Sequence, residues 1–313
     1  MASDNDTFNT CHLFSLPNEV LAQILSSFST RSLLPWTAVS HRFHALILRI
    51  LHYRLRIAAS LPEYKLILKC FPPSNKYYES YVFCTYIGTD DLSSQFDGKG
   101  SLYENVDPAE RLGRLSSVYS RFRPERIPEN ATPPATRWDS FGTDEELEPD
   151  QDERTVTRLI SFENFEDFYQ LCAVVKVVKV RLGSNLLLSN QTVEDRVVRV
   201  FRDWLQERER WTRAQDHGDD SPDDTSDRKE RDNASILWID PARKVGIKVR
   251  VRGRHYLNQQ MPLFVLHDEE PSVTYELDIE ELHIRTTSLL MTLEKSQEEQ
   301  ENHPKAMIFP RSV

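Results

Sequence analysis

The run from Val245 to Arg254 alternates: Val245, Ile247, Val249 and Val251 fall on one side of an extended chain, and Gly246, Lys248, Arg250 and Arg252 on the other. Lys248, Arg250, Arg252 and Arg254 are therefore a candidate socket for an acidic or phosphorylated peptide, because arginine pairs bidentately with such anions. The competing and favoured reading is a solvated sheet face, neutralised by nearby acidic stretches. Trp204, Trp211 and Trp238 offer a stacking platform for a carbohydrate, although large aromatics in strands more often fill a core. His41 and His44 are spaced to share a metal on a helix, but the further ligands a site needs are absent, so they read as surface residues. The acidic pairs Glu269-Glu270 and Glu280-Glu281 are adjacent, which in a strand sends the two carboxylates to opposite faces and away from a common bond. No glycine-rich phosphate loop, nucleophile elbow or paired-histidine zinc helix is present, and the chain has only 9 glycines. Catalysis by this chain, and any metal or cofactor, are not expected.

The charge balance narrows the partners. With 39 basic and 49 acidic residues the net charge is −10, which argues against nucleic acid, whose phosphates demand a basic surface. Two stretches, 139–154 and 216–232, together hold more negative charge than the whole chain, so the remainder is near neutral. Both are poor in apolar residues and cannot offset the entropy of ordering, so they are expected to be disordered inserts. Cys11, Cys70, Cys84 and Cys172 show no zinc-knuckle spacing and read as small hydrophobes in a reducing compartment. Neither a signal peptide nor a membrane-spanning run is visible, so a soluble chain of the cytoplasm or nucleus is expected, with no membrane partner.

The elements that carry these residues divide in two. After Pro17, apolar residues recur at Val20, Leu21, Ile24, Leu25 and Phe28, the spacing of one helical face. A brief second helix over Leu33, Leu34, Trp36 and Val39 is limited by Pro35, and Ser40 can cap a third that runs from His41 to just before Leu61-Pro62. Beyond it the character is β-rich, with strands expected at 64–71, 77–87, 156–162, 171–182, 193–204, 236–239, 245–251, 273–284 and 288–293, and a short helix at 163–169. The expected fold is α+β: an N-terminal three-helix bundle at 14–60, then a mainly β domain at 61–294, an antiparallel sandwich in form. Inserts are expected near 90–110, 124–155 and 214–233, with a disordered start at 1–13 and a polar tail at 295–313.

The order Leu16-Pro17, Glu19-Val20-Leu21, Ile24-Leu25, Leu33-Leu34 and Val39-Ser40 with Phe43 resembles the F-box motif, over about residues 14–56. What the resemblance implies is docking onto the Skp adaptor of an SCF-type cullin-RING ubiquitin ligase, with the cullin scaffold behind the adaptor. Leu16, Pro17, Val20, Ile24, Leu25, Phe28, Leu34, Val39 and Phe43 would carry the contact. Some of these must instead serve the bundle's own core: Leu21, Leu46 and Leu51 are assigned inward, and Ile24 and Leu25 are open between the two roles. The β domain would hold a protein substrate, an acidic or modified one among the candidates, as a non-catalytic receptor does. It is loosely similar to the jelly-roll, lectin-like domains of some F-box proteins and to fungal F-box proteins with acidic inserts. The alternative is a lectin-like or ligand-binding β-sandwich whose N-terminal bundle is only structural.

Overall fold

Pro17, at φ −56°, leads directly into helix α1 (Asn18–Ser26), with Glu19 in its first turn at the positive end of the helix dipole. The computed structural model describes residues 15–75, 81–90, 92, 96, 102–103, 105–125, 156–162, 166–180, 186–216, 234–254, 273–302 and 307–308. The chain divides into two compact units, Met1–Ile57 with Asp91–Ser116, and Ala58–Asp90 with Ser117–Val313. The expectations for residues 1–13, for the acidic stretch 139–154 and for all but Asp216 of 216–232 lie outside the described residues, as do Cys11 and Glu269-Glu270.

In the first unit α1 is followed by α2 (Thr30–Leu33), which tightens into a 3-10 turn at Leu34–Ala38 with Pro35 in its first positions. Helix α3 (His41–Ala59) then begins with the Phe43 N–H donating to the Ser40 hydroxyl at 3.2 Å, the cap that frees the first turn from an unsatisfied donor. Leu21, Leu25, Leu33, Phe43, Ile47, Leu51 and Leu55 are buried between the helices. Leu48 and His52 are buried as well, which makes the covered stripe of α3 broader than a simple amphipathic helix needs. The stretch near 90–110, expected as an insert outside the packed structure, supplies part of that cover. Tyr103 is buried, its ring 4.8 Å from Phe96 and 5.6 Å from His52, with its hydroxyl 3.2 Å from His52 Nδ1. The Arg111 guanidinium, at the start of α4 (Arg111–Ser116), lies 5.8 Å over the same ring. A bundle this small exposes too much apolar surface to stand alone, and this returning segment adds aromatic burial that the three helices lack.

The second unit is a single sheet of ten strands: β1 (Tyr64–Phe71), β2 (Val82–Thr89), β3 (Tyr119–Glu125), β4 (Val156–Phe162), β5 (Phe168–Val180), β6 (Leu186–Phe201), β7 (Ile236–Trp238), β8 (Val245–Arg254), β9 (Val273–Arg285) and β10 (Met307–Ile308). The order is β10-β6-β5-β1-β2-β3-β9-β8-β7, with β4 also paired to β9, and the pairings are antiparallel. The α+β class and the antiparallel β domain are as expected; the strands form one curled, continuous ladder where two separately bonded layers were expected. Strands of 13 and 16 residues accumulate enough twist to curl, and irregularities at Val175/Lys176 and Lys248/Val249 sharpen the bend. The inner face closes on itself, so that Cys70 and Leu171 share a small space with Leu237, Ile247, Val249, Leu277 and Ile279. Arg158 Nε donates across this interior to the Cys70 carbonyl at 2.7 Å. Cys84 is buried too, which pushes its thiol pKa up.

Three segments depart from expectation for identifiable reasons. Residues 202–204, expected to end a strand, begin helix α5 (Arg202–Asp216), where Leu205, Arg208, Glu209 and Thr212 are buried at helical spacing despite their polarity. Residues 288–293 belong to helix α6 (Thr286–Asn302), which continues into the expected tail and buries Leu289, Leu290, Leu293 and Ser296. Ser296 Oγ lies 3.1 Å from the Tyr64 hydroxyl and 2.6 Å from that of Ser189, tying α6 to β1 and β6. Phe168 and Tyr169, expected in a short helix, open β5. Strand β3 was hidden by Pro124, but β9 pairs only with Tyr119 to Phe122, so the proline sits beyond that ladder and its missing N–H costs nothing there. The irregularity in β9 likewise overturns the opposite-face reading of Glu280-Glu281: burial shifts from Leu277 and Ile279 to Leu282 and Ile284, leaving both carboxylates on the outer side.

At Gly246 strand β7 comes close to the backbone of β8. A Cβ there would lie 2.5 Å from Ile236 Cγ2 and 2.8 Å from Trp238 Cε3, so Gly246→Ala is expected to cost about 1–3 kcal/mol in a denaturant melt by forcing β7 away. No helix among the described residues is long and apolar enough to cross a membrane.

Candidate functional site

Helix α1 carries two apolar stripes offset by one residue. Leu21 and Leu25 face inward and are almost fully buried, while Val20 and Ile24 point outward at 41% and 40% exposure. Phe28 at 38%, Leu34 at 40% and Val39 at 60% extend this surface across the turn between α1 and α3. Large apolar side chains held this open on adjoining elements mark a surface for a partner. Pro17 is exposed and Leu16 half-buried at the near end of the same surface. Leu25 and Phe43, expected among the contact residues, are buried core residues in this chain, at 0% and 3% exposure. Their role is support from beneath. Trp36 bridges the layers, its ring 5.2 Å from Phe28 and 6.2 Å from Phe43, so the exposed Phe28 rests on an aromatic column rooted in the core.

Two arginines of α3 fix the surface from behind, and neither drew notice in the sequence. Arg42 donates to the Asn18 side chain at 2.8 Å and to the Leu16 carbonyl, which anchors the Leu16-Pro17 entry. Arg54 donates to the Thr30 hydroxyl at 3.0 Å and to the carbonyls of Ser26 at 2.9 Å and Phe28 at 2.6 Å. It thereby serves carbonyls at the end of α1, where a cation is favoured, and holds the backbone beneath Phe28. Arg54→Met, which keeps the stem and removes the donors, is expected to cost about 2 kcal/mol in a thermal or urea melt.

The basic strand is differently disposed. Val245, Ile247, Val249 and Val251 are buried as their alternation predicts. Arg250 Nε donates to Glu280 at 2.9 Å, Arg252 is ion-paired with the nearly buried Asp278, and Lys248 stands opposite Glu281. The Glu281 carboxyl is held below its ordinary range, first by its hydrogen bond with His283 and further by the charges of His283, Lys248 and Arg121. Lys248, Arg250 and Arg252, expected to form an anion socket, thus face carboxylates of the neighbouring strand β9, while the acidic stretches expected to neutralise them lie, but for Asp216, outside the described residues. The side chain of Arg254 lies outside the described residues. The three tryptophans form no common platform. Trp204 and Trp211 lie on α5 and flank Arg208, whose guanidinium is 5.4 Å and 3.7 Å from their rings, while Trp238 packs 5.4 Å from Tyr119 and beneath Arg243.

A protein-family model described as F-box-like matches residues 13–58. No curated protein and no solved structure matches the chain. The matched span takes in α1, α2 and nearly all of α3, and with them every apolar side chain of the exposed surface. The chain carries an F-box-like domain in its first three helices.

Proposed function

We propose that this chain is the substrate receptor of an SCF-type cullin-RING ubiquitin ligase. The exposed set Val20, Ile24, Phe28, Leu34 and Val39 carries the reading, because these large apolar side chains lie open within the F-box-like domain while Leu21, Leu25 and Leu33 beside three of them are buried. F-box domains dock on the Skp adaptor, and this surface is where the adaptor's helices would close over the bundle, with Leu16 and Pro17 at its edge. Desolvating such aliphatic and aromatic anchors supplies most of an interface's energy. The chain's contribution is positioning: the adaptor links it to the cullin, and the β-rich unit holds a protein substrate within reach of the ubiquitin carrier.

Mixing the full chain with purified Skp adaptor and the cullin N-terminal region tests the assembly. A single co-eluting peak on size exclusion is expected. A well-folded chain that elutes separately from the adaptor would overturn the reading.

A further inference from the structure

A second group of cations lies on the outer face of the sheet. Strand pairing sets Lys65 opposite Val178, Ile67 opposite both Lys176 and Phe83, and Lys69 opposite Val174. This face is opposite the one on which Leu66, Leu68, Val175 and Val177 fill the interior. Ile67 and Val178 are buried here in a separate small cluster with Tyr81 and Phe83 packed against it. Lys65 Nζ lies 5.3 Å over the Phe83 ring and Lys69 Nζ 5.6 Å over the Tyr81 ring, so both stems are laid along aromatic surface with the amines held at its rim. Among the described residues, Lys65, Lys69 and Lys176 form no ion pair with a carboxylate, in contrast to Arg250 and Arg252 on β8. Among the described residues, register places Asp195 opposite Val174 and Glu125 opposite Phe83, at the flanks of this group.

We propose that this outer face is the docking surface for an acidic segment of the substrate protein, bound in extended form with carboxylates at alternate positions. The proposal deepens the receptor reading and takes its meaning from it. Charge complementarity selects the occupant: three amines without an ion pair among the described residues stand together on a chain whose net charge is −10. Spacing selects its form. Lys65 and Lys69 are about 13 Å apart along β1, the span from i to i+4 of an extended peptide, and Lys176 lies level with the midpoint one strand spacing, about 4.8 Å, to the side, where a glutamate at i+2 can reach across to it. Lysine is a point charge without the planar fork of arginine, which favours a row of carboxylates over a single bidentate phosphate. The rings of Phe83 and Tyr81 give the segment's apolar atoms a surface to cover.

The test is fluorescence anisotropy of the full chain with a short labelled peptide carrying glutamate at i, i+2 and i+4. Saturable binding that weakens as salt rises is expected, with a loss of about tenfold or more in the Lys65→Glu/Lys69→Glu/Lys176→Glu variant. Lys295→Glu, a charge reversal on α6, should leave binding intact. Thermal melts show whether the triple variant is folded, and Lys65→Gln/Lys69→Gln, which adds no repulsion, serves as a second variant. Undiminished binding by both folded variants would overturn the proposal. So would equal binding of the glutamine version of the peptide or of a single-stranded oligonucleotide, or peptide binding that appears only when residues 139–154 are deleted, which would make the chain's own acidic stretch the occupant. Adaptor binding is measured on the same preparations: retained adaptor binding with no peptide binding rejects this surface alone, whereas lost adaptor binding by wild type rejects the receptor reading.

Discussion

Tyr103→Ala is expected to destabilise the helical unit by about 3–4 kcal/mol, the usual cost of removing a large buried aromatic side chain. The ring is 3% exposed, packed by Phe96 and His52, and crossed by Arg111, so its loss strips the broad covered face of α3. Tyr103→Phe separates the contributions: it keeps the ring and loses the contact with His52 Nδ1, for about 1 kcal/mol. Chemical denaturation followed by circular dichroism checks both. A Tyr103→Ala protein as stable as wild type would show that residues 91–116 do not complete the F-box-like unit.

The second large effect is on association. Ile24→Asp with Phe28→Ala is expected to weaken adaptor binding at least about a hundredfold, because central anchors often contribute 2 kcal/mol or more each and the new carboxylate would be buried without a partner. The melting temperature should fall less than for a core truncation, since Ile24 and Phe28 are already 40% and 38% exposed in the free chain. Leu25→Ala should do the reverse, losing about 3 kcal/mol of stability while the folded fraction still binds. Calorimetric titration beside thermal melts distinguishes them. Equal destabilisation by both changes would mean that Ile24 and Phe28 belong to the core.

The helical unit was largely legible because its helices announce themselves locally: Pro17, the three-and-four spacing through Phe28 and the Ser40 cap are all within a turn of what they control. The side of α1 left exposed was harder to read. Val20 and Ile24 differ from Leu21 and Leu25 by one position and by no chemistry, so only the packing decides which pair faces out. Tyr103 was illegible as part of this unit because its partner His52 is 51 residues away. In the β-rich unit the strands of alternating or continuous apolar character were visible, but their order was not: β3 pairs with β9, roughly 160 residues later, and nothing local encodes that choice. Helix α5 was missed because its buried face includes Arg208, Glu209 and Thr212, which no apolar count registers. The same blindness to pairing exchanged the two basic faces. Arg250 and Arg252 stand out in sequence yet meet Glu280 and Asp278, whereas Lys65, Lys69 and Lys176 look like ordinary solvated strand positions until register brings them together.

If the open apolar surface of the F-box-like helices receives the Skp adaptor, hydrogen exchange of the full chain with and without the adaptor will locate the contact. New amide protection is expected between Leu16 and Phe43, strongest around Ile24 to Val39, with the β-rich unit unchanged. Protection confined to the β-rich unit, or no change in the helices at saturating adaptor, would contradict it.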